Sequence, residues 1–463
     1  MKKRMSLLAL ALVVITVLVL SGCSKDGTKD GGSASTTPTT STKPEENKPS
    51  GKDLVIEYWS TPAYKNVLGD ADPNYGDWEQ LKVAEFVKEN PNVKINFQMI
   101  PSDEIEQKVT IALAGNNPPD ILLDGLDRRL MKYVKFGKNE PMDDFISENA
   151  ADFNQDALKQ LSKDGVLYGI PTHTSVTLGF INKKLFEDKG LEKLIPENRE
   201  WTYEEWRDAM KQVSGNGIYG TALYAGNEQG DEMSSLMYLF GSGVDQWNED
   251  STKIVMDQFP EAPGVLQMLK DMVAEGSIAP GPATLKALDV LEMFKQGKIA
   301  YMAWSPAVYS LVENGKKDGS VSQNVETYGI VPIHKEGYSP KIPTGLTGYT
   351  VFKQTDNEKR EMIKKFMNFM VSAENAQLLA KSINAVPSRT SAAYEYPYAD
   401  MVDAMKLITK LSPVNMGKAS PAYAEVRQQW YPALQAMFLG QKTPEQAIQE
   451  YTKKGNEVLA KQK

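Results

Sequence analysis

From Asp53 onward the apolar positions fall into two rhythms that take turns along the chain. Leu54-Val55-Ile56-Glu57-Tyr58-Trp59 is β-branched and aromatic, which predicts a strand. Trp78 to Glu89 recurs with helical spacing and stops at Asn90-Pro91. Val93-Lys94-Ile95-Asn96-Phe97 alternates as a second strand. Ser102, with Asp103 and Glu104 behind it, predicts a capped helix to about Ala114, broken by Gly115-Asn116-Asn117-Pro118-Pro119. Asp120-Ile121-Leu122-Leu123 reads as a short buried strand. This β-α-β-α-β order predicts an α/β fold with a mainly parallel sheet flanked by helices.

Later boundaries are punctuated by helix signals. Thr202-Tyr203-Glu204-Glu205 has the form of a capping box, with Trp201 and Trp206 placed as a hydrophobic staple. Thr443-Pro444-Glu445-Gln446 is a second box, with proline at the first helical position. Ile299 to Trp304 and Val325 to Pro332 predict strands, and Asp356 to Met370 and Pro421 to Leu439 predict long helices. The Met-rich run Met362–Met370 is helix packing. No repeat shows at periods of 20 to 50 residues.

The segment before Asp53 follows neither rhythm. Lys2, Lys3 and Arg4 precede an apolar run from Leu7 to Leu20. That run suits a signal peptide and falls short of the roughly 20 residues a spanning helix needs. Leu20-Ser21-Gly22-Cys23 then resembles a bacterial lipobox, and Cys23 is the chain's single cysteine. Residues 1–22 are thus expected to be a signal peptide and Cys23 a lipidated residue. Residues 23–52 carry Gly, Ser, Thr, Lys and Pro with no large apolar side chain, which predicts a flexible tether. The expected location is extracytoplasmic, on the outer face of the cell membrane, with the lipid as the one membrane contact.

Composition narrows the chemistry. The chain has 463 residues, 52 basic and 60 acidic, for a net charge of −8. Removing Lys2, Lys3 and Arg4 takes the mature chain to −11. This balance argues against nucleic acid as a partner. The length suggests two or three domains, or two large lobes. One cysteine and two histidines, His173 and His334, exclude a disulfide framework, a cysteine zinc site and a three-histidine metal centre.

Gly215-Asn216-Gly217-Ile218-Tyr219-Gly220 fits G-x-G-x-x-G, but a helix precedes it and a strand follows, the reverse of a dinucleotide site. It reads as a helix end and a turn. Asp70-Ala71-Asp72-Pro73-Asn74-Tyr75-Gly76-Asp77 resembles a calcium loop around Asp70, Asp72 and Asn74. Its glycine stands one position late and no glutamate follows at position twelve, so a polar surface loop is the plainer reading. No cofactor is expected otherwise. A carboxylate pair for glycoside chemistry is not singled out by anything in the chain.

Six segments in order carry a resemblance. They are Gly115–Ile121, Gly179–Phe186, Trp201–Trp206, Phe294–Met302, Phe366–Ser388 and Gly440–Ile448. Together they resemble the extracellular solute-binding proteins of carbohydrate ABC importers, the family typified by maltose-binding protein. The resemblance implies a two-lobe periplasmic-binding-protein-like fold, with ligand held in a cleft at the hinge. It implies a first lobe of residues 53–169 plus 349–392 and a second of residues 170–348 plus 393–463. Pro171 and Gly345–Gly348 would lie near the crossings. It further implies capture of a saccharide, expected to be an oligosaccharide, delivery to ABC permease subunits, a monomer, and no catalysis.

Sugar binding needs flat aromatic faces and planar polar groups. Ligands of open α/β sheets sit beyond the carboxyl ends of the strands, which nominates Trp59, Ser60, Asp124 and Trp304, with Tyr64 in the loop after β-strand one. By resemblance, Asp124-Gly125-Leu126-Asp127-Arg128 matches a sugar-contacting stretch at Asp127 and Arg128, with Asp124 where relatives place an aromatic. Tyr224 and Glu228 follow a strand that resembles another contact loop. Tyr423 and Arg427 begin a helix that offers an aromatic in relatives. Tyr349 follows the Gly345–Gly348 turn, and His173 lies just past a crossing, as a ligand contact or a structural histidine. Two other readings stay open: a lipid-anchored carbohydrate-active enzyme using a carboxylate pair, and a sugar-sensing surface receptor.

Overall fold

The computed structural model describes residues 52–226 and 233–461. The signal segment, Cys23, the tether up to Gly51 and Glu228 lie outside the described residues. Residues 50–463 form one compact unit. In chain order its strands are β1 Leu54–Ser60, β2 Val93–Met99, β3 Ile121–Asp124, β4 Ser162–Lys163, β5 Val166–Leu167, β6 Ile170–Val176, β7 Leu178–Asn182, β8 Tyr219–Thr221, β9 Ile299–Trp304, β10 Thr327–Ile330, β11 Lys341–Ile342, β12 Thr344–Val351, β13 Val386–Pro387 and β14 Ser412–Pro413.

Two sheets organise the unit. The first runs β13-β6-β12-β3-β1-β2, with β1 parallel to both β2 and β3 and with β12 antiparallel to β3 and β6. The second runs β10-β7-β9-β8. Short pairs β4–β5 and β11–β14 complete the set. Strand alternation sets the first core: Ile56 and Tyr58 point into a cluster with Leu126, Ile170, Tyr349 and Phe366. Trp59, one residue on, faces the other way, against Ile105, Val109 and Leu122 under the Ile105–Ala114 helix. The second sheet is buried on both faces. Ile181 of β7 joins Trp206, Trp247, Tyr301 and Trp430 on one side, while Phe180 joins Phe294, Met302 and Tyr309 on the other. The result is two α/β lobes, each with its own sheet and core.

β6 and β12 pass between them. Ile170 belongs to the first core and Val176 to the second lobe's; Leu346 belongs to the first and Ile342, just before β12, to the second. Their ladder shifts register between Thr347 and Gly348. Gly348 is required there, because a Cβ would stand 2.2 Å from the Ile170 carbonyl oxygen.

Most predicted elements form, with the strand starts and helix caps in place. Thr202 and Glu205 cap one another reciprocally, as do Thr443 and Gln446 with Pro444 at the first turn. Gly215 to Gly220 is a helix-to-strand turn, closed by a Gly215–Ile218 bridge before β8. Three expectations are corrected. Neither large sheet is mainly parallel: among the described residues three of their eight strand pairings are parallel and five antiparallel, because the crossing strands β6 and β12, and β7 in the second sheet, run against their neighbours. Ser102 caps nothing, because the Pro101 carbonyl takes the N–H groups of Glu104 and Ile105 and the helix begins at Ile105. Pro421 to Leu439 is not one helix but two, Tyr423–Arg427 and Trp430–Phe438. Pro432 has no N–H for the Gln428 carbonyl and its ring crowds that carbonyl, so the chain breaks at Gln428-Gln429.

Candidate ligand cleft

A cavity of about 1060 Å³ opens between the lobes. One wall comes from the first lobe: Ser102, Glu106, Gln107 and Thr110 around the Ile105–Ala114 helix, and Arg128, Arg129 and Lys132 on the Leu126–Lys135 helix. The opposite wall comes from the second lobe: Gly226, Lys286, and Tyr423, Arg427 and Gln428 around the Tyr423–Arg427 helix. Helical spacing explains the first wall. Arg128 and Lys132 stand four residues apart and share a face, while Leu126, Leu130, Met131 and Val134 hold the other face in the first core.

Ion pairs fix the wall. The Arg129 guanidinium donates to the Asp124 carboxylate at 2.7 Å and to the Ser102 carbonyl at 3.2 Å. Lys132 meets Glu106 at 2.7 Å and reaches across the gap to Glu425 at 3.4 Å. Asp127 pairs with Lys418, and both side chains are nearly sealed from solvent, at 3% and 11% exposure.

Of the residues nominated from the sequence, the structure brings Arg128, Tyr423 and Arg427 together at the cavity. Asp124 and Asp127 stand behind that wall, held by Arg129 and Lys418. Among the described residues the others do not line this cavity, and Glu228 lies outside them. Tyr64 is fully buried; its hydroxyl lies 2.6 Å from the Thr172 hydroxyl and 2.8 Å from His173 Nδ1. His173 is therefore a structural histidine, and burial pulls its pKa down to about 4, against the smaller opposing pull of Asp127. The Ser60 hydroxyl donates to the Thr61 carbonyl inside the protein. Tyr349 sits in the first core, 6.2 Å from the Tyr58 ring, not at the cleft. Trp59 lies under a helix with the Lys108 ammonium 4.8 Å from its ring centre. Tyr224 is buried, with backbone groups bonded to the Ser234 hydroxyl. Trp304 ends β9 half-buried against the second lobe's core and is not part of the cavity wall.

Arg129, Lys132, Glu106 and Lys286 were not anticipated. The i, i+4 spacing of Arg128 and Lys132 carried that signal; Lys286 had none. Two carboxylates of the Asp70–Asp77 loop are taken up by neighbouring chain. Asp72 accepts the Val67 and Leu68 N–H groups at 2.8 Å each, and Asp77 accepts from Asn74. Among the described residues no group of three or more His, Cys, Asp or Glu is placed to hold a metal.

This two-lobe arrangement with an interlobe cavity defines a binding protein of the periplasmic-binding type. The chain belongs to the bacterial extracellular solute-binding proteins, whose family profile matches residues 71–377. The resemblance read from the six sequence segments is borne out to that extent. The galactooligosaccharide-binding protein of Bacillus subtilis is 24% identical over 412 residues, covering 86% of this chain and 88% of that one. The diacetylchitobiose-binding protein of Streptomyces coelicolor is 23% identical, covering 70% of this chain and 72% of that one. Among solved structures, an ABC substrate-binding protein of Listeria monocytogenes in complex with cycloalternan superposes with a TM-score of 0.71 at 20% identity, covering 88% of this chain and all of that one. The family and these neighbours are binding proteins. No helix among the described residues is long and apolar enough to cross a membrane.

Proposed function

We propose that this chain is the lipid-anchored substrate-binding subunit of an ABC importer and that it captures an oligosaccharide in the interlobe cleft. The observation that carries the reading is the cavity itself, walled by both lobes, with Tyr423 and the guanidinium groups of Arg128, Arg129 and Arg427 on facing helices. Tyr423 backs the cavity wall from the second lobe's core, with 3% of its surface exposed, while Arg128 and Arg427 supply planar donors for hydroxyl pairs. The volume lies just above the range of about 300–1,000 Å³ for small-molecule sites and leaves room for several sugar rings. The names of relatives that bind galacto-oligosaccharide and diacetylchitobiose support the ligand class. Cys23 would carry the lipid, and hinge closure would present the loaded cleft to the permease.

A thermal-shift screen of residues 50–463 against mono- and oligosaccharides tests this. Ligand that binds the folded state alone raises the midpoint by mass action. A shift with one oligosaccharide class, and the same sugar recovered intact, is the expected result; no shift with any sugar would overturn the ligand class. With that sugar, Tyr423→Ala is expected to weaken binding by about 1–3 kcal/mol in a calorimetric titration. Unchanged affinity would remove Tyr423 from the site.

A further inference from the structure

We propose that Asp127 and Lys418 form a latch that holds the two lobes together before ligand arrives, which makes Lys418 the positioning residue of the cleft. Each end is fixed in a different core. Asp127 opens the Leu126–Lys135 helix, whose Leu126, Leu130, Met131 and Val134 pack in the first lobe. Lys418 follows Met416 and Gly417 and precedes Ala422, Tyr423 and Val426, which pack in the second. Gly417 has φ +74°, and a Cβ there would come within 2.1 Å of the Trp247 ring, so the backbone bearing Lys418 is pressed onto that core.

The ammonium does more than meet the carboxylate. It also donates to the carbonyl of Thr344, the first residue of β12. One cation thus ties the first lobe, the second lobe and a crossing strand. A second cross-gap pair, Lys132 with Glu425, lies at the cavity but is more exposed, with side chains at 21% and 39%. Exposed pairs of that kind contribute little. A sealed pair differs in what its breakage does: removing one partner leaves the other as an uncompensated charge in a dry place. Water reaches Asp127 when the lobes part, so loss of Lys418 favours the open arrangement.

The latch is tested without ligand, and so separately from the reading of the cleft as a saccharide site. Small-angle scattering of residues 50–463 should give a larger radius of gyration for Lys418→Met than for the wild type. Lys418→Arg should restore the wild-type radius. The double variant Asp127→Asn with Lys418→Met removes the attraction between the lobes without leaving a charge buried; it carries the test should the single variant fail to fold, and it should expand by less than Lys418→Met. Wild-type scattering from either latch-free variant would overturn the proposal. A saccharide identified by the thermal screen should return Lys418→Met to the wild-type radius with an affinity about tenfold weaker, because binding must then draw in lobes that start apart. Failure of every saccharide to bind would count against the cleft reading and leave the ligand-free scattering comparison intact.

Discussion

Replacing Glu79 by Gln is expected to stabilise the chain relative to wild type by an amount that grows from pH 4.5 to pH 7 and reaches about 3 kcal/mol. Glu79 stands in the first turn of the Asp77–Glu89 helix with 1% of its surface exposed. No side chain hydrogen-bonds either of its oxygens, and the rings of Tyr58, Tyr64 and Tyr349 are close enough to feel its charge. Burial pushes its pKa up from 4.5 to about 7; its own backbone N–H pulls the other way, and Asp72 and Asp77 add to the rise. The folded chain therefore keeps this proton to a higher pH than the unfolded chain does. The stability this confers is full below pH 4.5 and is lost as pH climbs through 7.

His173 runs in the opposite direction. Burial holds it neutral down to about pH 4, whereas it protonates near 6.5 when unfolded. Its contribution is present above 6.5 and lost as pH falls toward 4, again worth about 3 kcal/mol. Between pH 4.5 and 6.5 the two slopes cancel. Urea titrations across this range should show Glu79→Gln gaining a stability that rises with pH and His173→Gln gaining one that falls with pH, each relative to wild type. A pH-independent difference for Glu79→Gln would mean that its carboxyl is solvated in the folded chain.

Trp430→Ala is expected to cost about 3–5 kcal/mol, the range for truncating a fully buried tryptophan. Trp430 has no exposed surface and meets the Tyr451 ring edge-on at 5.1 Å, which joins the Trp430–Phe438 helix to the C-terminal Pro444–Ala460 helix. The short helix bearing Tyr423 and Arg427 leads directly into that pair, and Val426 packs in the same cluster. The urea midpoint measures the loss. A cost under about 1 kcal/mol would mean that the cavity left behind collapses or fills, contrary to the packing described.

The elements were legible where one local rule decided them. β1 to β3, both capping boxes and the turn at Gly215–Gly220 follow from periodicity, cap chemistry and glycine. The break before Trp430 was also within reach, since Pro432 forbids a continuous helix. Ser102 misled because a backbone carbonyl two residues from Asp103 outcompeted its hydroxyl, and no pattern announces that. The cleft was less legible than the fold. Alternation says that Tyr58 and Trp59 face opposite ways, but not which face meets the gap. Gly345–Gly348, expected as a turn, lie inside β12, and Tyr349 after them points into the core, because the strand pairs with β3 and β6 there. Arg128, Tyr423 and Arg427 came from family resemblance, whereas Lys418 offered no local signal. Its role depends on a partner 291 positions earlier and on Gly417 lying against Trp247.

The central claim is that the interlobe cleft captures a saccharide and leaves it unchanged. Its most direct test is a calorimetric titration of the saccharide found in the thermal screen into wild type and into Arg427→Ala, followed by recovery of the sugar. Loss of a buried charged donor should weaken binding by about tenfold or more, with one sugar bound per wild-type chain and all of it recovered intact. Equal affinity in the two proteins, or a cleaved sugar, would contradict the account.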